Sequence, residues 1–239
     1  MFITTGGIVL RIYPFRDKKN IVKIFTEKKG LISCIITKNK AQIPLSQLLT
    51  IAEITYKENK ANSLFYIKDL QIEYVYKSLT RNSEKIQIAM VLCEVLNKCT
   101  NEANSLLYNF IISAFKYLDE TKIEIAGFEA LFLIKFCDIF GISPFNNLVT
   151  KYDNKVLDIE SGCFVDSNNQ SNNKKFIPAS DSLLLYKLSK INLNELGSYN
   201  ITKPLGLKLF NYMILYISVH LTDLTKLKSI KIINDLARV

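Results

Sequence analysis

The 239-residue chain has no tryptophan, one histidine, four arginines, five prolines and eight glycines. A lone histidine, His220, leaves little room for general-base chemistry, which would need a nucleophile and an orienting acid at a spacing the chain does not offer. It closes the run LGLKLFNYMILYISVH, where a positive end suits a helix dipole. Glycine is too sparse for phosphate loops: no G-x-x-x-x-G-K-[ST] and no G-x-G-x-x-G occurs. Gly6-Gly7 is too short to cradle a phosphate and is expected to let the first strand bend or bulge. The five cysteines, Cys34, Cys93, Cys99, Cys137 and Cys163, include no C-x-x-C pair. That spacing speaks against structural zinc, and Cys34, Cys93 and Cys137 lie in apolar patterns that read as core. Disulfides are not expected in a cytosolic chain. The most apolar run, IAGFEALFLIKFCDIFG, is broken by Glu129, Lys135 and Asp138 and is short for a bilayer span. The opening residues, MFITTGGIVLRIY, lack the layout of a secretory signal. These absences predict a cytoplasmic protein that is not an enzyme, with no cofactor, no metal site and no membrane association.

Positive charge, by contrast, is abundant. Lysine and arginine total 31 against 22 acidic residues, a net charge of +9. The excess is uneven. Residues 1–80 hold 13 basic and 6 acidic side chains, a balance of +7, and residues 81–239 hold 18 and 16, a balance of +2. Such asymmetry points to an anionic partner for the N-terminal part, or to a lysine-rich solvated surface. The stretch YPFRDKKNIVKIFTEKKG, Tyr13 to Gly30, concentrates it, with six basic side chains, two acidic ones and apolar residues between.

Periodicity divides the chain. Between Phe2 and Tyr76, the segments GIVLRIY, NIVKIFT, LISCIITK, LTIAEITYK and SLFYIKDLQIEYVY alternate with period two, separated by turn residues. Five short strands in this span predict a small barrel of the OB type. After Thr80 the period becomes helical. Ile86, Ala89, Met90, Cys93 and Leu96 form one stripe, capped by Asn82 or Ser83. Leu107, Phe110, Ile111, Ala114 and Leu118 form a second, and the acidic pair Asp119-Glu120 reads as a solvated turn after it. A third helix, about Ile123 to Phe140, is apolar nearly all round, hence central; Gly141 ends it and Pro144 prevents a restart. KVLDIESGCFVD reads as a hairpin turning at Ser161-Gly162, and SNNQSNNKK as a polar loop. Helices follow at about Asp181–Ile191, Lys203–Leu221 and Leu227–Leu236, the second with Pro204 in its first turn. The expected fold is α+β: a five-stranded OB barrel over 1–79, then a helical domain over 80–239 with a hairpin and loop insertion at about 145–178.

Three stretches resemble the RecO (recombination protein O) family of bacterial DNA repair proteins. GIVLRIYPFRDKKNIVKIFTEKKGLISCIITKNK is similar to that family's opening strands, glycine turn and basic loop. FEALFLIKFCDIFGISP is similar to its long helix, which starts on aromatic-Glu and closes on Gly-x-x-Pro. LTKLKSIKIINDL is similar to its C-terminal end with Leu-Lys-Ser. The likeness spans the chain in order. It departs at the four-cysteine zinc module that many relatives carry: NNLVTKYDNKVLDIESGCFVDSNNQSNN holds only Cys163, so the chain resembles a zinc-less variant. The basic loop TKNKAQ is also thin, with Lys38 and Lys40.

The resemblance implies a non-catalytic mediator in DNA repair and RecF-pathway recombination. It would bind single- and double-stranded DNA, anneal complementary strands and help load recombinase. Its implied partners are a RecR-like protein and the acidic, aromatic-ended tail of single-strand DNA-binding protein, taken up by the helical domain. Nucleoid association would follow. The expected DNA contacts are Arg11, Arg16, Lys18, Lys19, Lys23, Lys28, Lys29, Lys38 and Lys40 toward phosphates. Tyr13 and Phe15 are expected to stack on bases, unless they pack into the barrel. Lys135 reads either as an edge charge of a partner groove or as a snorkelling core-helix lysine. Two other readings stand beside this one: a protein–protein adaptor whose lysines only solvate it, and an RNA-binding OB protein.

Overall fold

The computed structural model describes residues 1–37, 39–57, 64–145, 155–167 and 175–236. They form two compact units, Met1–Glu120 and Thr121–Val239.

Alternation in the first unit produces five strands: β1 (Phe2–Pro14), β2 (Lys19–Thr26), β3 (Gly30–Thr37), β4 (Ile51–Lys57) and β5 (Leu64–Tyr74). They close into a barrel of order β1-β2-β3-β5-β4, with β4 returning to β1. Every neighbouring pair is antiparallel except β3 and β5, which run parallel. Val9, Val22, Ile24, Ile32, Cys34, Ile36, Ile54 and Tyr56 fill the interior. Closure needs β1 to leave β4 and join β2. The extra residue that lets it do so is Leu10, where the β1–β2 register slips between Val9 and Arg11. The bulge therefore falls beyond Gly6-Gly7, where it was expected. At Gly7 the constraint is space, since a Cβ would lie 2.7 Å from Ile24 Cγ2.

Helices α1 (Ser83–Cys99) and α2 (Ser105–Glu120) belong to this same unit. Asn82 caps α1, its side-chain oxygen accepting from the N–H groups of Glu84 at 3.0 Å and Lys85 at 3.1 Å. The buried face of α1 is Ile88, Ala89, Val91, Leu92, Cys93, Val95 and Leu96. Of the expected stripe, Met90 faces solvent and Ile86 is half-buried. In α2, Phe110 is only half-buried, and Tyr108 and Phe115 join the buried face.

The secondary-structure change expected at Thr80 is present, but the compact unit runs on to Glu120. Asp119 supplies much of the reason. The expectation of a solvated turn fails here, because Asp119 is 2% exposed within α2. Its carboxylate accepts from the backbone N–H of Lys77 at 2.9 Å, Ser78 at 2.8 Å and Leu79 at 2.6 Å, and from the Tyr74 hydroxyl at 2.8 Å. Lys85 Nζ donates to the Asp119 carbonyl at 2.9 Å. The end of β5, the segment leading into α1 and the end of α2 are thus joined at the Asp119 carboxylate, and α1 itself is tied to the Asp119 carbonyl through Lys85. Burial opposes its charge, but the three backbone donors and Tyr74 outweigh that and hold its pKa down at about 2.

In the second unit, α3 spans Phe128–Ile139, shorter than expected because the chain before Gly127 is not helical. Gly141, at φ +71°, ends it: its N–H bonds Asp138 O and that of Ile142 bonds Cys137 O, a Schellman closure. Strands β6 (Lys155–Asp158), β7 (Cys163–Asp166) and β8 (Phe176–Ile177) form a small antiparallel sheet of order β7-β6-β8. The hairpin turns at Ser161-Gly162 as expected, and residues 168–174 of the polar loop lie outside the described residues. Helices α4 (Ala179–Ser189), α5 (Lys203–His220) and α6 (Lys228–Leu236) complete the unit. α3 and α5 approach closely where Gly206 faces Gly127. His220 Nε2 lies 2.7 Å from the Ile159 carbonyl oxygen. Among the described residues no helix is long and apolar enough to cross a membrane, and no group of three or more His, Cys, Asp and Glu side chains is placed to hold a metal ion.

Candidate nucleic-acid interface

The β1–β2 turn projects charge by its backbone. Phe15 N–H bonds Lys19 O at 3.0 Å, and Arg16 and Lys18 both take left-handed φ values, 53° and 61°. For residues with a Cβ this conformation costs about 1 kcal/mol each. Arg16, Asp17 and Lys18 are exposed at its tip, with the Arg16 guanidinium 5.2 Å from the half-buried Phe15 ring.

Below the turn, side chains alternate. Val22 and Ile24 point into the barrel, so Lys19, Ile21 and Lys23 share its outer flank. Register sets Arg11 directly opposite Lys23, and Tyr13 opposite Ile21. Like charges in a cross-strand pair repel. Glu94 on α1 compensates only in part, 3.7 Å from Arg11 Nη1, and the Arg11 guanidinium also lies 5.1 Å from the Tyr13 ring.

Lys28 and Lys29 sit apart, in the β2–β3 turn at the other end of β2. Lys28 Nζ donates to Thr4 O at 2.7 Å, and Lys29 Nζ lies 5.2 Å from the Phe65 ring. Between the two groups the helices cover the flank. Phe25 is fully buried, its ring centroid 6.5 Å from that of Tyr108, and Leu31 N–H bonds Asn101 O at 3.1 Å. Gly30, at φ +71°, packs on the backbone of Asn101 to Ala103, where any Cβ would collide. The structure therefore brings together Arg11, Tyr13, Phe15, Arg16, Lys18, Lys19 and Lys23, and sets Lys28 and Lys29 elsewhere. Lys40 is exposed in the β3–β4 connection, and Lys38 lies outside the described residues.

One exposed aromatic residue on this flank escaped the sequence reading. Parallel pairing of β3 with β5 puts Tyr66 beside Ile35, and no local pattern in the sequence announces that pairing.

In the second unit, Lys135 Nζ donates to Ser189 O at 2.7 Å, so it is a tethered helix lysine. Burial lowers its pKa. A cleft of about 820 Å³ lies in this unit, lined by Ile123, Ala126, Leu196, Tyr199, Ile201 and Pro204, with Glu124, Glu195 and Lys203 also on its wall.

A closed five-stranded barrel in this order, bearing a basic flank and followed by helices, defines an OB-fold protein of mixed α+β class. Residues 1–76 match the family model described as "Recombination protein O N terminal". Along nearly its whole length the chain is similar to proteins named DNA repair protein RecO. That of Azobacteroides pseudotrichonymphae is 26% identical, over 98% of this chain and 99% of its own. That of Phocaeicola vulgatus is 25% identical and that of Bacteroides fragilis 26%, each over 99% of both chains. The resemblance to the RecO family, drawn from three short stretches, is borne out as a similarity that runs along nearly the whole chain.

Proposed function

We propose that the protein acts in DNA repair and recombination as a non-enzymatic DNA-binding mediator. It holds single- and double-stranded DNA on the outer flank of the barrel and promotes annealing of complementary strands. The observation that carries this reading is the Arg11–Lys23 cross-strand pair, two cations held face to face. A polyanion laid across them relieves the repulsion and releases counterions, giving affinity without sequence preference. The strained turn that presents Arg16 and Lys18 supports the same site. Two strands bound together also repel each other less, and base pairing then drives annealing without nucleotide hydrolysis. Recombinase loading with a RecR-like partner, and uptake of the acidic tail of single-strand DNA-binding protein, rest on the family resemblance. The cleft of the second unit carries Glu124 and Glu195 as well as Lys203, so its charge does not select an acidic tail.

The test is titration and annealing of labelled complementary oligonucleotides at two salt concentrations, with and without ATP. Binding and acceleration are expected without ATP and should fall steeply with salt. Arg11→Gln with Lys23→Gln should flatten the salt slope by about 1.4 to 1.8, more than Lys28→Gln with Lys29→Gln. Acceleration only with ATP, or indifference to salt, would overturn the mechanism. RNA that displaces the DNA in competition would move the reading to an RNA-binding protein.

A further inference from the structure

We propose that a row of four outward side chains on the barrel, Tyr13, Ile21, Ile35 and Tyr66, is a stacking platform for the bases of a single nucleic-acid strand. The proposal rests on the DNA-binding reading and adds to it the part of the ligand that is read and the residues that read it.

Register alone assembles the row. Tyr13 pairs with Ile21, Ile21 with Ile35, and Ile35 with Tyr66. All four lie outside the interior cluster, which takes Val22, Cys34, Ile36 and Phe65 from the flanking positions. Directly paired side chains stand about 5 Å apart, so the row spans ~14 Å over three strand spacings. Because barrel strands tilt to the axis, such a row climbs along the flank instead of circling it.

Its ends are open and its middle is closed. Tyr66 is 59% exposed and Tyr13 36%, while Ile35 is buried and Ile21 half-buried. Two aromatic faces thus border an apolar floor. Elsewhere β4 and β5 expose mainly polar residues, among them Glu53, Lys57, Lys68, Asp69, Gln71 and Glu73.

The neighbouring row is Arg11, Lys23, Ser33 and Leu64. Its cations run alongside the aromatic row, with Lys19 on the other side of Ile21. Among the described residues, Glu94 lies against Arg11 and Asp17 is exposed at the turn tip. Phosphates beside one row and bases over the other is the arrangement of a sequence-neutral single-strand site. The span of ~14 Å matches about four stacking rises of ~3.4 Å. A duplex hides its base faces, so it engages the cations but not the tyrosines.

The chain lacks tryptophan, so Tyr66→Trp introduces a single fluorescent reporter. The probes are a short oligothymidylate, the same strand with abasic residues, a duplex of equal length and an acidic peptide. The oligothymidylate should quench Tyr66→Trp strongly, and the abasic strand and duplex only weakly. Tyr66→Ala and Tyr13→Ala should each weaken oligothymidylate binding by about five- to a hundredfold. They should leave abasic-strand affinity unchanged, and Tyr66→Phe should retain affinity. An oligothymidylate that binds without quenching, or alanine variants that lose abasic and base-bearing strands equally, would overturn the platform and leave the phosphate-binding reading intact. Quenching by the acidic peptide instead of the strand would reassign the row to a protein partner and overturn it. Failure of any DNA to bind would sink both readings.

Discussion

At the residue scale, Asp119 shows how one buried charge organises a fold. Its carboxylate ends three backbone N–H groups that have no ladder or helix partner. Folding lowers its pKa from 3.8 to about 2. A group with a depressed folded pKa stabilises above its unfolded value, and that stability is lost as pH falls through the folded one. The shift corresponds to about 2 kcal/mol at neutral pH, lost between roughly pH 4 and pH 2. Asp119→Asn should therefore lower the neutral-pH urea midpoint by an amount equivalent to about 2–4 kcal/mol. It should also flatten the fall in stability across that acid window. An unchanged pH profile in the variant would show that Asp119 does not carry the linkage.

At the element scale, glycine contact decides how α3 meets α5. A Cβ on Gly206 would come within 2.6 Å of the Gly127 backbone nitrogen, which no rotamer change relieves. Gly206→Ala should destabilise the second unit by about 1–3 kcal/mol, read as a lower melting temperature, whereas Gly141→Ala meets no atom within 4 Å and is strained only through its φ. This contrast was not legible in the sequence, where both residues are isolated glycines near helix ends. What was legible was local: the period-two strands, the Asn82 cap, the Gly141 stop and the Ser161-Gly162 hairpin. The buried face of α1 was legible only in part: Ala89, Cys93 and Leu96 of the expected stripe are buried, but Val91, Leu92 and Val95 make the helix apolar on several sides, and packing alone adds them. The site divided the same way. Alternation set Lys23 with Ile21 on the face opposite Val22 and Ile24, but it also grouped Arg11 and Tyr13 with Val9, and only the bulge at Leu10 turns those two outward while Val9 points in. The remoteness of Lys28 and Lys29, and the arrival of Tyr66, depend on strand length and a parallel pairing between distant segments.

At the scale of the whole molecule, a net charge of +9 is a poor guide to where an anion lands. Two of the six basic residues in the richest stretch lie beyond a helix-covered part of the barrel, and Arg11 is partly matched by Glu94. The same covering bears on how the protein can be dissected. Ile8, Leu10 and Phe25 are buried although they are not among the residues that fill the barrel, and β1 packs on α1 while Phe25 packs by Tyr108. A fragment cut at residue 79, where strand gives way to helix, would leave these side chains bare and strand the N–H groups of Lys77 to Leu79 without Asp119. A fragment ending at Glu120 keeps both. Expressed separately, the 1–120 piece should be monodisperse with a cooperative melt, and the 1–79 piece should aggregate. Limited proteolysis of the full chain should likewise spare the junction at residue 80, so the smallest autonomous form of this barrel includes two helices that its strand pattern does not suggest.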